Sequence, residues 1–332
     1  MSLPRILVVS LGGTITMTAS AAGGITPTLT AEHLIASVPG LASVAALEAT
    51  TRFSLPGASL SISQLAEVAA LLKQGFASGI DGAVVVQGTD TIEDTAFVLD
   101  LLLAPTHPVV VTGAMRGPQA AGADGPANLL AAVRVAADRR LAGLGVAVVL
   151  NDEIHAARWV QKSHTSLTSA FSSPGTGALG LVAEGQVEWM MTPRRDTPFI
   201  QAPVQRDSRV ALVPLGLGED GRLLAALAGL GYGGAVIEGV GAGHIPAAAV
   251  EAVARLASEM PVLLSTRVRA GKVFTRTYGF SGSEMDLIAK GVIPCGHMSS
   301  AKARLLLTLL LSTGAGADAI RHAFARPQAP QH

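Results

Sequence analysis

Two threonines in this sequence follow short apolar runs through glycine-containing segments. Thr14 comes after residues 5–10 and two glycines, and Thr89 comes after residues 82–86 and Gln-Gly. Asp90 follows Thr89 directly, so a hydroxyl and a carboxylate are adjacent in the chain. Open α/β sheets place reactive groups at the carboxyl ends of their parallel strands. The two threonines therefore indicate nucleophilic chemistry on an acyl group more than cofactor binding.

Both segments also have a purely structural interpretation. Gly12 and Gly13 suit a strand-to-helix turn that needs a positive φ or a close backbone approach. The cluster at 89–91 suits an N-cap, in which Asp90 or Thr91 would cap a helix over 92–103. The two interpretations are compatible, because a capping residue at a strand end can also face a pocket.

Lys162 is a candidate for the group that activates a hydroxyl. It lies in the polar segment 159–165, past an apolar run that ends at Leu150. A hydroxyl nucleophile needs a base that removes its proton. Where no histidine dyad is evident, lysine is the usual base in place of histidine. The alternative is an exposed lysine on a polar loop, and the residues alone favour that alternative.

Other kinds of site have weaker support. Residues 175–180 match G-x-G-x-x-G, but no strand precedes them and an extended segment follows, which argues against a dinucleotide site. The eight histidines show no metal-ligand spacing beside acids, and His107, His155 and His164 are predicted to be surface or loop residues. We therefore predict that the protein uses no cofactor and no metal.

The composition bears on partners and location. Of 332 residues, 49% are hydrophobic and 14% are charged, with 24 basic and 24 acidic side chains. No nucleic-acid partner is expected, because phosphate neutralisation needs a concentrated positive face. No membrane span is expected either, since the apolar run 305–311 is far shorter than the roughly 20 residues that cross a bilayer. With one cysteine and a first strand close to Met1, the protein is predicted to be soluble and cytoplasmic.

Short apolar runs alternate with amphipathic segments, which predicts βα units and a mainly parallel sheet. Residues 17–28 are predicted to form a mobile loop, and Thr30 is predicted to cap the next helix. We predict an N-terminal α/β catalytic domain over 1–193, a linker over 194–208 and a C-terminal α/β domain over 209–332. The other predicted elements are helices 63–76, 126–138, 221–230 and 246–258, strands 108–112, 145–150, 210–215, 235–240 and 262–264, and loops and hairpins over 157–181.

Several motifs occur in a fixed order along nearly the whole chain. They lie at 11–15, 87–95, 109–116, 123–129, 150–152, 159–165, 239–244 and 302–304. In order and spacing, these motifs resemble the bacterial-type L-asparaginase/glutaminase family, which are amidohydrolases with a threonine nucleophile. The resemblance implies a two-domain asparaginase-like fold, with a larger, mainly parallel N-terminal α/β domain and a smaller Rossmann-like C-terminal domain.

The resemblance also implies roles for individual residues. Thr14 would be the nucleophile and Thr89 the second active-site threonine, while Lys162 would hold and deprotonate a hydroxyl or a water molecule. Asp90 would bind the substrate α-ammonium group through an ion pair. Backbone groups around Thr89 and Ala114 would face the scissile amide and stabilise the developing oxyanion.

The family's usual assembly is a homotetramer of intimate dimers, in which a neighbouring subunit completes each site. Glu284 lies near the position where the family places a carboxylate that reaches into the neighbouring site. The alternative is an acidic residue at a helix N-terminus, which the helix dipole favours. The resemblance therefore implies a homodimer or homotetramer with sites near the subunit interface.

Part of the substrate-binding pattern is altered. The loop after the first strand lacks the family's tyrosine, and Gly23 or Gly24 falls near its position. Gly57 and Ala58 replace the usual Ser-Gln, although Ser59 could compensate, and His244 stands where an asparagine is expected. The candidates for the missing hydroxyl are Thr16, Ser20, Thr26 and Thr28.

The sequence thus predicts hydrolysis of the side-chain amide of L-asparagine, or of L-glutamine or a related ω-amide, through an acyl-threonine intermediate. One alternative keeps this chemistry but acts on another amide or a cyclic imide that lacks the full amino-acid head group. A second alternative is a non-catalytic small-molecule sensor. Retention of Thr14, Thr89, Asp90 and Lys162 together argues against the sensor.

Overall fold

The computed structural model describes residues 2–19, 25–27, 30–104, 106–192, 198–201 and 207–325, with the backbone alone at 17–19 and 25–27. Most of the predicted linker 194–208, and Ser20, Gly23, Gly24 and Thr28, lie outside the described residues. The chain forms two compact units, one extending to Phe199 and the other starting at Ile200.

The N-terminal unit contains strands joined by helices and short turns. Its described strands are β1 (Arg5–Ser10), β2 (Met17–Ala19), β3 (Ile25–Pro27), β4 (Ala46–Thr51), β5 (Gly82–Val86), β6 (Val109–Thr112), β7 (Val146–Leu150), β8 (Glu153–Ala156), β9 (Gln161–Lys162), β10 (Phe171–Ser172), β11 (Gly180–Ala183) and β12 (Gln186–Trp189). Its described helices are α1 (Ala31–Ala36), α2 (Leu41–Val44), α3 (Ile62–Ala77), α4 (Ile92–Leu102) and α5 (Gly125–Ala137).

One eight-stranded sheet has the order β12-β11-β8-β7-β6-β5-β1-β4. The pairs from β4 through β1, β5 and β6 to β7 are parallel, and β8, β11 and β12 extend the sheet by antiparallel pairing. Strands β5, β6 and β7 are buried at every residue, as expected for strands covered on both faces. The carboxyl ends of β1, β5 and β6 therefore lie side by side at one edge.

Helix α5 covers one face of this sheet. Leu129 and Ala132 of this helix pack in one buried cluster with Val84 of β5 and Val110 of β6. Complete burial of such valine and leucine side chains stabilises the fold by about 1.5–3 kcal/mol each. This packing holds in place the strands whose carboxyl ends lead to the segments of Thr14 and Thr89.

The C-terminal unit contains a four-stranded parallel sheet. Its described elements are strands β13 (Val210–Pro214), β14 (Gly234–Gly239), β15 (Val262–Thr266) and β16 (Ile293–Pro294) and helices α6 (Val250–Glu259), α7 (Glu284–Ala289), α8 (Ser300–Ser312) and α9 (Ala317–Ala325). The strands follow one another in chain order across the sheet, and each pair is parallel. The predicted fold, a larger, mainly parallel α/β domain followed by a smaller α/β domain, is confirmed.

Two local predictions are wrong. Within 17–28, β2 and β3 pair antiparallel, so part of the predicted loop is a hairpin. The predicted helix 221–230 is reduced to a 3-10 segment, Arg222–Ala226, which starts after Gly221 at φ +75° without a side-chain cap. The apolar period predicts a longer α-helix, but the backbone here is joined mainly by i→i+3 hydrogen bonds, from Leu224 to Gly221, Leu227 to Leu224 and Leu230 to Leu227, which form 3-10 turns.

Other local expectations agree with the structure. Thr30 caps α1, because its Oγ1 accepts a hydrogen bond from the His33 N–H. Among the residues that the structure describes, no helix combines the length and the apolar character that crossing a membrane requires.

Candidate active site

Thr14 begins a short 3-10 turn, Thr14–Thr16, which follows the end of β1 after three residues, Leu11 to Gly13. The two preceding glycines have φ values of +105° and +90°, which other residues rarely adopt. A Cβ on Gly13 would overlap the backbone of Gly88, so the segment after β1 contacts the segment after β5 without intervening side chains. Thr14 directly follows Gly13, and Thr89 directly follows Gly88. The contact between the two glycines therefore brings the two threonine segments together.

Lys162 reaches the same edge from the two-stranded hairpin of β9 and β10. Its Nζ donates a hydrogen bond to Thr89 Oγ1 at 3.0 Å and another to Asp90 Oδ1 at 2.7 Å. Only 17% of the Lys162 side chain is exposed. The interpretation that the residues alone favoured, an exposed lysine on a loop, is therefore wrong.

The ion pair between Lys162 and Asp90 orients the site more than it stabilises the fold. The Asp90 side chain is 72% exposed, and ion pairs at that exposure contribute at most about 1 kcal/mol. A carboxylate has about four acceptor positions. Asp90 can therefore hold Lys162 and still accept from a second cation.

Neither predicted capping interaction at the start of α4 occurs. Thr91 occupies the N-cap position without a side-chain capping bond. Its Oγ1 instead accepts a hydrogen bond from Gln87 Nε2 at 3.2 Å, and Asp90 is turned toward Lys162. A nearby residue thus engages the Thr91 hydroxyl, whereas a tertiary contact with Lys162 engages the Asp90 carboxylate.

The turn after β6 contains Ala114, whose side chain is buried. Asp124 accepts hydrogen bonds from the N–H groups of Met115 at 2.9 Å and Arg116 at 2.8 Å. Asn128 Nδ2 in turn donates to Asp124 Oδ2 at 3.0 Å. These bonds fix the backbone around Ala114 at the sheet edge where the oxyanion contacts are predicted.

The turn Gly57–Ser59 also lies at this edge. A Cβ on Gly57 would lie 2.9 Å from Gly88 O, so the turn packs against the segment that contains Thr89. Gly57 is buried there, whereas Ala58 and Ser59 are exposed. The structure therefore brings the altered Ser-Gln position to the strand end beside Thr89.

Of the four candidates for the missing tyrosine hydroxyl, the structure describes the side chain of Thr16 alone. Thr16 is buried, and its Oγ1 donates to Gly13 O at 2.8 Å, so this hydroxyl already closes the turn that begins at Thr14. The Thr26 side chain, like Ser20 and Thr28, is outside the described residues.

Glu284 is the first residue of α7 in the C-terminal unit, and its side chain is fully buried. Its Oε1 accepts from the N–H groups of Thr277 at 2.9 Å and Tyr278 at 2.8 Å, while Oε2 lies 3.3 Å from His244 Nε2. Burial raises the pKa of Glu284, but these backbone hydrogen bonds and His244 outweigh it, so the pKa is lowered overall. Glu284 thus organises its own loop, and its contact with a neighbouring site stays a prediction.

His155 is not the surface or loop residue that was predicted. It lies in β8 and is buried, with Nδ1 at 3.0 Å from Ser173 Oγ and Nε2 at 3.3 Å from Glu153 Oε2. Burial lowers the pKa of His155, against the opposing effect of Glu153. Within the described ranges, no group of three or more His, Cys, Asp or Glu side chains is arranged to hold a metal ion.

Comparison with known proteins identifies the family. Residues 5–195 match the family described as asparaginase, N-terminal, and residues 209–324 match the glutaminase/asparaginase C-terminal domain. The chain belongs to the asparaginase family.

Asparaginase relatives match it over nearly their whole length. A probable L-asparaginase of Deinococcus radiodurans is 37% identical, over 97% of this chain and 98% of its own. A protein of Haemophilus influenzae named probable L-asparaginase periplasmic is 32% identical, over 93% of this chain and 89% of its own. The crystal structure of a probable cytoplasmic L-asparaginase from Campylobacter jejuni matches with a TM-score of 0.85 at 31% identity, over 98% of this chain and 100% of that one.

In this candidate site, the family motifs predicted the residues at the sheet edge but not the residues that hold them in place. These are Glu93, whose Oε2 accepts a hydrogen bond from the Lys162 N–H at 2.7 Å, and Asp124 and Asn128 beside Ala114. All three lie within the motif ranges, but the resemblance implied no role for them. The signal for Glu93 was its position three residues after Asp90, one helical turn away on the same face. For Asp124 and Asn128, the four-residue spacing at the start of a helix was the corresponding signal.

Proposed function

We propose that this protein hydrolyses the side-chain amide of L-asparagine, with L-glutamine or related ω-amides as further substrates, to a carboxylate and ammonia. The observation that supports this most strongly is the Lys162 ammonium group 3.0 Å from the Thr89 hydroxyl, at the edge where β1 ends before Thr14. Family membership and relatives named L-asparaginase support an amide substrate.

In the proposed first step, Thr14 Oγ1 attacks the amide carbon and an ester forms. The C–N bond breaks, and the nitrogen leaves as ammonia after it gains one proton. Water then adds to the ester, the carboxylate leaves and the Thr14 hydroxyl is restored. In the first step, the Thr14 hydroxyl proton passes through the Thr89 hydroxyl or a water molecule to neutral Lys162, which gives a proton to the leaving nitrogen. In the second step, Lys162 takes a proton from the attacking water and returns one to Thr14 Oγ1 as the ester C–O bond breaks.

Three further contacts would orient the substrate. Backbone N–H groups around Thr89 and Ala114 would stabilise the negative charge that develops on the carbonyl oxygen. The exposed Asp90 carboxylate would bind the α-ammonium group by a charge-assisted hydrogen bond. The altered turn, with Ala58 and Ser59 exposed, would give the α-carboxylate fewer side-chain contacts than Ser-Gln.

We expect L-asparagine to be hydrolysed with a Michaelis constant in the millimolar range, because each lost head-group contact costs roughly 1–3 kcal/mol. Ammonia release should be measured with L-asparagine, D-asparagine, L-glutamine and simple amides. Micromolar affinity for L-asparagine with sharp rejection of the others would show that the substitutions do not matter. No turnover with any amide would favour the sensor.

A variant of the altered turn makes this test sharper. Ala58→Gln restores the amide side chain at an exposed position and should lower the Michaelis constant for L-asparagine several-fold with kcat little changed. Gly57 is not a suitable partner, because a Cβ there would press on Gly88 O. If A58Q prefers a simple amide as strongly as the parent does, the second candidate gains support: the same chemistry on an amide or cyclic imide without the full head group.

We further propose that residues 194–208 form a linker between the two domains, that the protein forms a homodimer or homotetramer, and that it is cytoplasmic. The family matches stop at 195 and resume at 209, which supports the linker.

Exposed apolar side chains in the C-terminal unit, among them Leu217 and Leu223, support a subunit interface. The Campylobacter jejuni relative is titled cytoplasmic and the Haemophilus influenzae relative periplasmic, so cell fractionation is the test of location.

Light scattering of the active protein should give the mass of a dimer or a tetramer. The expectation rests on the high apolar fraction and on family membership. A fully active monomer would remove the idea that a neighbouring subunit's Glu284 completes each site.

A further inference from the structure

Lys162 is held at both ends by one short segment of the chain. Its Nζ contacts Thr89 Oγ1 and Asp90 Oδ1, and its backbone N–H donates a hydrogen bond to Glu93 Oε2 at 2.7 Å. The three acceptors belong to the 3-10 turn before α4 and to the first turn of that helix. The backbone and the ammonium group of Lys162 are therefore both held by the start of α4 and the turn that precedes it.

The hairpin that carries Lys162 is short, and the bond to Glu93 ties it to α4. β9 and β10 each contain two residues and form a two-stranded sheet separate from the eight-stranded one. Two-stranded hairpins are at best marginally stable alone. A hydrogen bond between the Lys162 backbone and α4 ties this hairpin to the end of β5, where Thr89 lies.

We propose that Glu93 is a positioning residue, whose carboxylate fixes the backbone of Lys162 so that the ammonium group meets the Thr89 hydroxyl. The inference rests on the proposed function of the same site. Glu93 contacts Lys162 at its backbone, and the proposal is that its contribution to the reaction passes through that lysine. Misplacing a catalytic group by about 1 Å can lower a rate by about 100-fold, which sets the scale of the expected effect.

A different role for Glu93 leads to different expectations. An acidic residue in the first turn of α4 interacts favourably with the helix dipole, and Asp94 shares that position. If that charge were all that mattered, removing it would affect folding stability and leave the catalytic rate of the folded protein unchanged. The two roles are separable because one requires an acceptor at the right reach and the other requires a negative charge.

The test compares Glu93→Gln with Glu93→Asp, two polar replacements chosen to preserve the fold. E93Q keeps the length and one acceptor oxygen but loses the charge, whereas E93D keeps the charge but falls short by one methylene. We expect E93Q to retain most of kcat, and E93D and Glu93→Ala to lose about 10- to 100-fold, with Michaelis constants within about twofold of the parent. Equal rates for all variants, or E93D faster than E93Q, would overturn the proposal.

A double variant and hydrogen exchange separate this inference from the proposed function. If Glu93 acts through Lys162, E93A should cause no further loss in a Lys162→Met background. Exchange of the backbone amide in the peptide that contains Lys162 should be faster in E93A than in E93Q, and this readout needs no turnover. Unchanged exchange in E93A would overturn the positioning role of Glu93 even if the parent protein hydrolyses asparagine. Faster exchange in E93A together with an inactive parent protein would count against the proposed function alone.

Discussion

Replacing Thr14 with alanine should abolish turnover and leave the fold intact. Thr14 lies at the carboxyl end of β1, in the turn whose backbone contacts the Gly88 segment, so the change removes a hydroxyl without altering the glycines that shape the turn. Loss of the nucleophile in covalent catalysis costs several orders of magnitude in rate. Ammonia release gives the rate, and circular dichroism with thermal unfolding reports the fold.

The covalent intermediate gives a direct check of the same assignment. Rapid quenching with a slow substrate, followed by mass spectrometry, should find an acyl adduct on the peptide that contains Thr14. Thr14→Ser is the matched control, since it keeps a hydroxyl and should retain measurable turnover and an adduct. An adduct on Thr89 in the parent protein would overturn the assignment of Thr14 as nucleophile.

Lys162→Met should lower kcat by about 10²- to 10⁴-fold with little change in the Michaelis constant. The Lys162 Nζ contacts the Thr89 hydroxyl at 3.0 Å, and general-base catalysis by such a group contributes rate factors of this size. Methionine keeps a long side chain of similar volume but removes the amine. Steady-state kinetics on L-asparagine or the best amide of the panel measures both constants.

Lys162→Arg is the matched control for charge. Arginine keeps a cation beside Asp90 but does not lose its proton in proteins, so K162R should be nearly as slow as K162M if the lysine supplies the base. Recovery of most of the rate in K162R would instead mean that the positive charge alone is needed. Near-normal turnover in K162M would mean that Lys162 has no catalytic role.

Much of the fold was predictable because it depends on local apolar periodicity. The runs that became β1, β5, β6 and β7 are uninterrupted and short, which is the pattern of strands buried on both faces. The hairpin of β2 and β3 was missed because strands of three residues leave too short a pattern to detect. His155 was misplaced for a related reason: its burial depends on strands that pair around β8, not on its immediate neighbours.

The chain sequence by itself determined where the candidate hydroxyls lie, since Thr14 and Thr89 follow buried strands through glycine-containing segments. The residues around Lys162 favoured an exposed loop lysine; the family's motif order suggested that it belongs to the site, and only the tertiary structure gives its contacts there. Lys162 is 73 residues from Thr89 and 69 from Glu93, so no local pattern encodes these contacts. The physical reason is that a hydroxyl at a strand end is positioned by its own strand, whereas the lysine reaches it from a separate hairpin that is oriented by contacts across the fold.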